Sequence, residues 1–357
     1  MHEQFACMES KILFSSTVEE SNTNSIGHIE KYLLEVKNEI LKTMEKSREN
    51  INDFAEAMKQ AMIHGKETMF LGMQQDCHTI SHACADYIKF NRLRALHMDV
   101  PEMTAFGNDY PYPRNYVETL RHRDFGEGNV LICIQLGNRS KILKEALDYN
   151  FHRGGINILI TNQPETCDNV HTAVFISSKN IFISSDIVQL IFHYVSAHLA
   201  YETDPDFHDE GAKSFNEYCG FLLQSIENSR FSCEILSSIT LSIRQKLMSG
   251  NSVYAFGNGG SSAIASYFVD ELREIYKGSL KAYSRVHDIT SLKGLINSCI
   301  HHGSYKSDVF TKILDRFGIN EGDVLLGVSS SGNSENVVHP FKNFPKSVRI
   351  GILGLQD

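Results

Sequence analysis

"VYAFGNGGSSAIASYFVDEL", residues 253–272, runs from an apolar stretch through Gly-Asn-Gly-Gly-Ser-Ser into apolar positions at helical spacing. A strand that ends in clustered glycines and then starts a helix is the outline of a backbone anion cradle. Gly257, Gly259 and Gly260 permit the tight turn, and the helix start adds unpaired N–H groups and a positive dipole end. A dinucleotide site wants G-x-G-x-x-G, but the third glycine position is Ser262, and no acidic residue follows about twenty positions on, at the end of a second strand. A nucleoside triphosphate loop wants Gly-Lys-Ser/Thr, and no lysine follows. A sugar phosphate, or a glycine turn that only packs helix on strand, remains.

A second loop favours the phosphate. "EGDVLLGVSSSGNSENVV", residues 321–338, sets Ser329, Ser330, Ser331 and Ser334 around a glycine turn directly after an apolar strand. Ligands of open α/β sheets bind beyond the carboxyl ends of the strands, where both loops fall. Hydroxyls and backbone N–H groups converging there suit a phosphate monoester held without metal or lysine.

Working outward, both elements recur upstream. "EGNVLICIQLGNRSKIL" (127–143) matches the second loop, and "KETMFLGMQQDCHTISHACADYI" (66–88) matches the opening stretch. Strands alternating with helices, repeated at a spacing of about 190 residues, predict two doubly wound parallel α/β domains. Residues 1–25 are polar and read as an arm, 26–202 as the first domain, 203–214 as a linker and 215–357 as the second domain. The first copy runs on into "SSDIVQLIFHYVSAHLAYE", whereas the second ends at Asp357, so the second domain is expected to be cut short.

The chain has 357 residues and a net charge of −9 without a Lys/Arg block, which argues against nucleic acid as the main partner. Its eight cysteines show no CxxC, and there is neither a secretory signal nor an apolar run near twenty residues. A reducing cytoplasm and no membrane partner are the expectation.

The two loops together resemble the SIS (sugar isomerase) domain and, within it, the phosphoheptose isomerase branch; the resemblance covers 215–357 well and 26–202 in degenerate form. It implies a fold of two tandem SIS domains, each a doubly wound parallel sheet flanked by helices in a flavodoxin-like three-layer sandwich. It also implies conversion of sedoheptulose 7-phosphate to D-glycero-D-manno-heptose 7-phosphate through an enediol. A non-catalytic sugar-phosphate-binding regulator or scaffold is the alternative. Amino-group transfer fits poorly, because Cys7 lies in no glutaminase context. By similarity Asn258, Gly259, Ser261, Ser329, Ser330, Ser331 and Ser334 bind substrate phosphate, and Glu271 matches the family's base. Zinc-binding members carry a histidine one turn before that glutamate; here the position is Tyr267, and zinc is a possible cofactor only. In the second copy "IHHGSY" replaces the family's Gly-Asn-Asp substrate loop.

The first copy departs in the opposite places. Its glycine loop reads "GMQQDCH", yet it keeps Gly107, Asn108 and Asp109, and Asp186 with Gln189 matching the family's Asp-x-x-Gln. His82 and Asp86 fall at the family's metal histidine and catalytic glutamate, spaced i, i+4. The family's acid histidine would fall at Ala197, and His193 shares a helix face with Gln189. The expected site is therefore composite. The second copy supplies the cradle and Glu271, and the first supplies Asp109, Asp186, Gln189 and, as acid, His193. The family's habit of binding substrate between subunits implies a homo-oligomer or an intrachain pseudo-dimer.

Overall fold

A computed structural model describes residues 16–73, 76–98, 100–163, 168–204, 206–207, 210–228, 230–301 and 305–353. The expected arm over 1–15, Gln74, Gln75 and His302 lie outside them. The first half contains α1 (Ser16–Lys46), α2 (Arg48–Ile63), β1 (Glu67–Leu71), α3 (Asp76–Asn91), β2 (Arg94–His97), α4 (Val100–Asp109) and α5 (Asn115–His122). It continues with β3 (Val130–Gln135), α6 (Lys141–His152), β4 (Ile156–Thr161), β5 (Thr172–Phe175) and α7 (Ile181–Thr203). A 3-10 turn, Glu210–Lys213, leads to α8 (Phe215–Asn228), α9 (Arg230–Met248), β6 (Val253–Gly257), α10 (Gly260–Ile275), α11 (Leu280–Tyr283) and β7 (Val286–Asp288). Then follow α12 (Lys293–His301), α13 (Tyr305–Phe317), β8 (Val324–Ser329), α14 (Glu335–Asn343) and β9 (Val348–Leu353).

Both sheets are parallel. Their orders are β2-β1-β3-β4-β5 and β7-β6-β8-β9, so the second repeats the first strand for strand as far as it goes. The register repeats too: Thr68 pairs with Val130 in the first sheet, and Val253 with Val324 in the second. The central strands are unbroken apolar runs because both faces are covered, and all six residues of β3 and of β8 are buried. Alternate residues feed separate cores. Phe70, Ile132 and Ile158 join the cluster with Tyr87 and Phe192, while Met69, Leu131 and Leu159 join the one with Leu120 and Leu143.

Two details differ from the sequence reading. α1 begins at Ser16, inside the expected polar arm. The short edge strands β2 and β7 gave no sequence signal, because four and three residues are too few for a period.

What positions the site is the meeting of the halves. α3 packs on α7 within the first half and on α10 of the second. α3 and α10 follow the equivalent strands β1 and β6, and they cross antiparallel. His82 lies against Gly260, whereas His78, one turn earlier, bonds Asp270 Oδ2 at 2.8 Å near the other end of α10. Among the described residues no helix is long and apolar enough to cross a membrane.

Candidate functional site

The glycine loop leaves β6 at Gly257, whose register partner is Val328, one residue before the serine loop. The two loops therefore emerge side by side. A methyl group at Gly257 would lie 2.9 Å from the Val328 carbonyl, so glycine is what lets the strands' ends approach. Gly259 has φ +52° and caps α10 without a side-chain bond, leaving the first-turn N–H groups uncapped by any side chain. Ser334 caps α14 in position only: its hydroxyl accepts from Ser329 Oγ at 3.1 Å instead of from the helix. Ser329 and Ser261 are buried, Ser331 lies 3.5 Å from Ser329 Oγ to Oγ, and Ser330 and Gly259 are exposed. Uncapped helix starts beside a hydroxyl cluster offer the donors that a phosphate dianion takes up.

Asn258 ties the two loops together. Its amide pairs reciprocally with that of buried Asn336, at 2.9 and 3.1 Å, which clasps the two loops together.

Facing this cradle is a cluster from the first half. A methyl at Gly260 would lie 2.4 Å from His82 Nε2, so the imidazole rests on the bare backbone of the glycine loop. His82 Nε2 is 3.3 Å from Asp86 Oδ2 and 3.3 Å from His193 Nε2, and His193 Nε2 is 3.5 Å from Asp86 Oδ2. Gln189 Nε2 lies 2.9 Å from His193 Nε2. These groups come from two helices, α3 and α7. The i, i+4 spacings 82/86 and 189/193 put each pair on one face. Burial lowers the His193 pKa, and His82 lowers it further against the pull of Asp86, so the ring is neutral near pH 7.

The donor set fits a divalent ion. Donor atoms of His82, Asp86 and His193 lie within 4.8 Å of one another. Their separations are those of ligands about 2.0–2.1 Å from a tetrahedral zinc, for which about 3.3 Å between ligands is expected.

A cavity of about 240 Å³ lies along the crossing, walled by His78, Thr79 and His82 of α3, Ser185, Asp186 and Gln189 of α7, and Ala263, Ile264 and Tyr267 of α10. Asp186 Oδ2 accepts from Tyr32 Oη of α1 at 2.5 Å. Sequence reasoning missed Tyr32 and His78; nothing local marks either, since both act across the fold.

Two expected residues are placed elsewhere. Asp109 ends α4, exposed, accepts from the neighbouring Asn108 at 3.0 Å, and does not line the cavity. Glu271 is half-buried and is not among the cavity's lining residues; partial burial, then Glu274 and Asp270, raise its pKa. It lies eleven residues beyond Gly260 on α10, about 16 Å along the axis from the cradle that precedes it. A helix that starts at a cradle carries its own carboxylate away from it. Asp86, one turn beyond His82 on α3, lies 3.3 Å from His82 Nε2 and lines a second cavity together with His193.

At the equivalent loop of the first half, burial pushes the Asp76 carboxyl up to about 7, opposed by the Met73 N–H. Its folded pKa lies above the unfolded one, so its contribution to stability is greatest below the unfolded pKa and is lost as pH rises through about 7. Between pH 5 and pH 7 the unmodified chain is expected to lose on the order of 2 kcal/mol more stability than Asp76→Asn. Urea unfolding of both at the two pH values measures it; parallel profiles would exclude the assignment.

An open α/β unit with a serine-rich anion loop, paired with a second such unit, defines a class: residues 222–343 match the SIS domain. Within that class the chain is homologous to phosphoheptose isomerases. It is 38% identical over 100 residues to that of Cytophaga hutchinsonii, covering 28% of this chain and 50% of the relative. It is 30% identical over 134 residues to that of Serratia proteamaculans, covering 37% and 66%. The chain thus spans half to two thirds of the length of these relatives. Both halves together resemble the structure of a candidate phosphosugar isomerase from Silicibacter pomeroyi, with TM-score 0.52 and 10% identity, over 86% of this chain and 79% of that one. The tandem SIS architecture expected from the sequence is the one observed.

Proposed function

We propose that the chain is an isomerase of sugar phosphates, with sedoheptulose 7-phosphate as substrate, and that its reacting centre is shared between the halves. The observation that carries this reading is the contact of His82 with Gly260, which sets an acid–base cluster of the first half against the phosphate loops of the second.

The phosphate sits on the uncapped start of α10 and the hydroxyls of Ser261, Ser329, Ser331 and Ser334. Asp86 takes a proton from C1 of the open-chain ketose, giving an enediol, and returns it to C2 to form the aldose. Neutral His193 moves a proton between O1 and O2, held in place by Gln189. No atom is gained or lost overall. If His82, Asp86 and His193 hold a zinc ion, it would polarise the sugar oxygens in place of the proton transfer assigned to His193. Support comes from this geometry and from the likeness to phosphoheptose isomerases.

The test is incubation of the chain with sedoheptulose 7-phosphate in D₂O. Aldoheptose 7-phosphate carrying deuterium at C2 is expected. Binding with neither product nor exchange would make the protein a sugar-phosphate-binding module.

A further inference from the structure

We infer that Tyr32 is a positioning residue for the sugar: its hydroxyl fixes one oxygen of the Asp186 carboxylate, so that the other accepts from a hydroxyl of the sugar chain in the cavity between α3, α7 and α10. The identity of the sugar phosphate rests on the function proposed above; the pairing of Tyr32 with Asp186 stands on its own geometry.

Tyr32 comes from α1, 154 residues before its partner, and its hydroxyl donates to Asp186 Oδ2 at 2.5 Å. The helix that carries it is clamped to the segment leading into α7. At its far end Ser47 Oγ donates to the Phe175 carbonyl at 2.7 Å and accepts from the Phe175 N–H at 3.2 Å. About two turns back, buried Glu39 accepts through Oε1 from the N–H groups of Ser177 and Ser178, at 2.5 and 2.9 Å, and from the Ser177 hydroxyl at 2.8 Å. Tyr32 lies about two turns further back on the same helix. Sliding α1 along α7 would leave a buried carboxylate and two N–H groups unpaired, so the reach of Tyr32 to Asp186 is fixed by the fold.

Asp186 lines the cavity of about 240 Å³ with Ser185, Gln189 and Tyr267. Among the described residues only Tyr32 hydrogen-bonds its carboxylate. Ser185 Oγ is buried and makes no hydrogen bond of good geometry. Burial, then Glu271 and Asp186, raise the Tyr267 pKa against the pull of the nearby Ser185 hydroxyl, so the phenol keeps its proton at neutral pH. An accepting carboxylate beside two hydroxyls suits a sugar hydroxyl, which donates to Asp186 and accepts from Ser185 or Tyr267. The cavity reaches His82, which rests on Gly260 at the cradle, so a sugar phosphate seated there extends its chain along this wall. A carboxylate already held by one donor loses less freedom on binding than one left to rotate.

Titration calorimetry on the full chain, its Tyr32→Phe and Asp186→Ala variants and the double variant tests this, with sedoheptulose 7-phosphate and inorganic phosphate as probes. Tyr32→Phe keeps the ring and removes only the donor. It is expected to weaken the sugar phosphate about tenfold, as loss of a hydrogen bond to a charged group does, and inorganic phosphate by less than about twofold. In the Asp186→Ala background the same change should cost less than about twofold, because the hydroxyl acts through that carboxylate. Equal weakening of both probes, additive losses in the double variant, or an unchanged sugar-phosphate affinity in Tyr32→Phe would each overturn the positioning role while leaving the proposed substrate in place. Failure of the unmodified chain to bind sedoheptulose 7-phosphate would remove the proposed substrate, and this role with it.

Discussion

Asp86→Asn is expected to lower turnover of sedoheptulose 7-phosphate by about 10²- to 10⁴-fold, the range for loss of a positioned general base. Glu271→Gln should leave it within about twofold. The asymmetry follows from the antiparallel crossing of α3 and α10. Each helix starts at its own loop and carries its carboxylate away, so the carboxylate near a given cradle belongs to the opposite half. Asp86 lies 3.3 Å from the imidazole that rests on Gly260. Glu271 lies eleven residues beyond Gly260, about 16 Å along α10 from the start of the helix. Steady-state kinetics of the two variants decide the matter; a large loss with Glu271→Gln and none with Asp86→Asn would reverse the assignment.

Gly260→Ala is the second large effect. The added methyl would stand 2.4 Å from His82 Nε2, so the imidazole must move. The fold can absorb this, because the group displaced is the far end of a side chain and not backbone. The chemistry cannot, since a shift of about 1 Å in a positioned group costs about 10²-fold in rate. Turnover should fall by about that factor, with thermal unfolding within a few degrees of the unmodified chain. Undiminished turnover would show that His82 acts independently of the glycine loop, and the shared centre would lose its main support.

Much of this architecture is legible in the residues. "VLICIQ" and "VLLGVS" are buried on both faces, and such runs announce a parallel sheet because nothing polar need face water. The repeat of those runs foretells two like units, and the register confirms it residue by residue. The loops after β6 and β8 are legible for a local reason: glycine and serine clusters encode their own turn geometry. The side-chain amide of Asn258 is engaged by Asn336, a partner 78 residues away that nothing nearby marks. Asp109 sits in a recognisable triplet, but α4 leaves its carboxylate exposed and away from the cavity.

His193 shows the boundary most clearly. Its spacing from Gln189 was readable along one helix, but its meeting with His82, 111 residues earlier, depends on how α7 lies on α3. The residues by themselves determined two parallel α/β units and, in the second, a glycine turn beside a serine loop, because strand burial and glycine turns are local properties of the chain. Only the tertiary structure decided which carboxylate serves that loop. Contact between Gly260 and His82 comes from two amphipathic helices burying a common face, and the crossing angle and register of that packing are written in no short stretch of either.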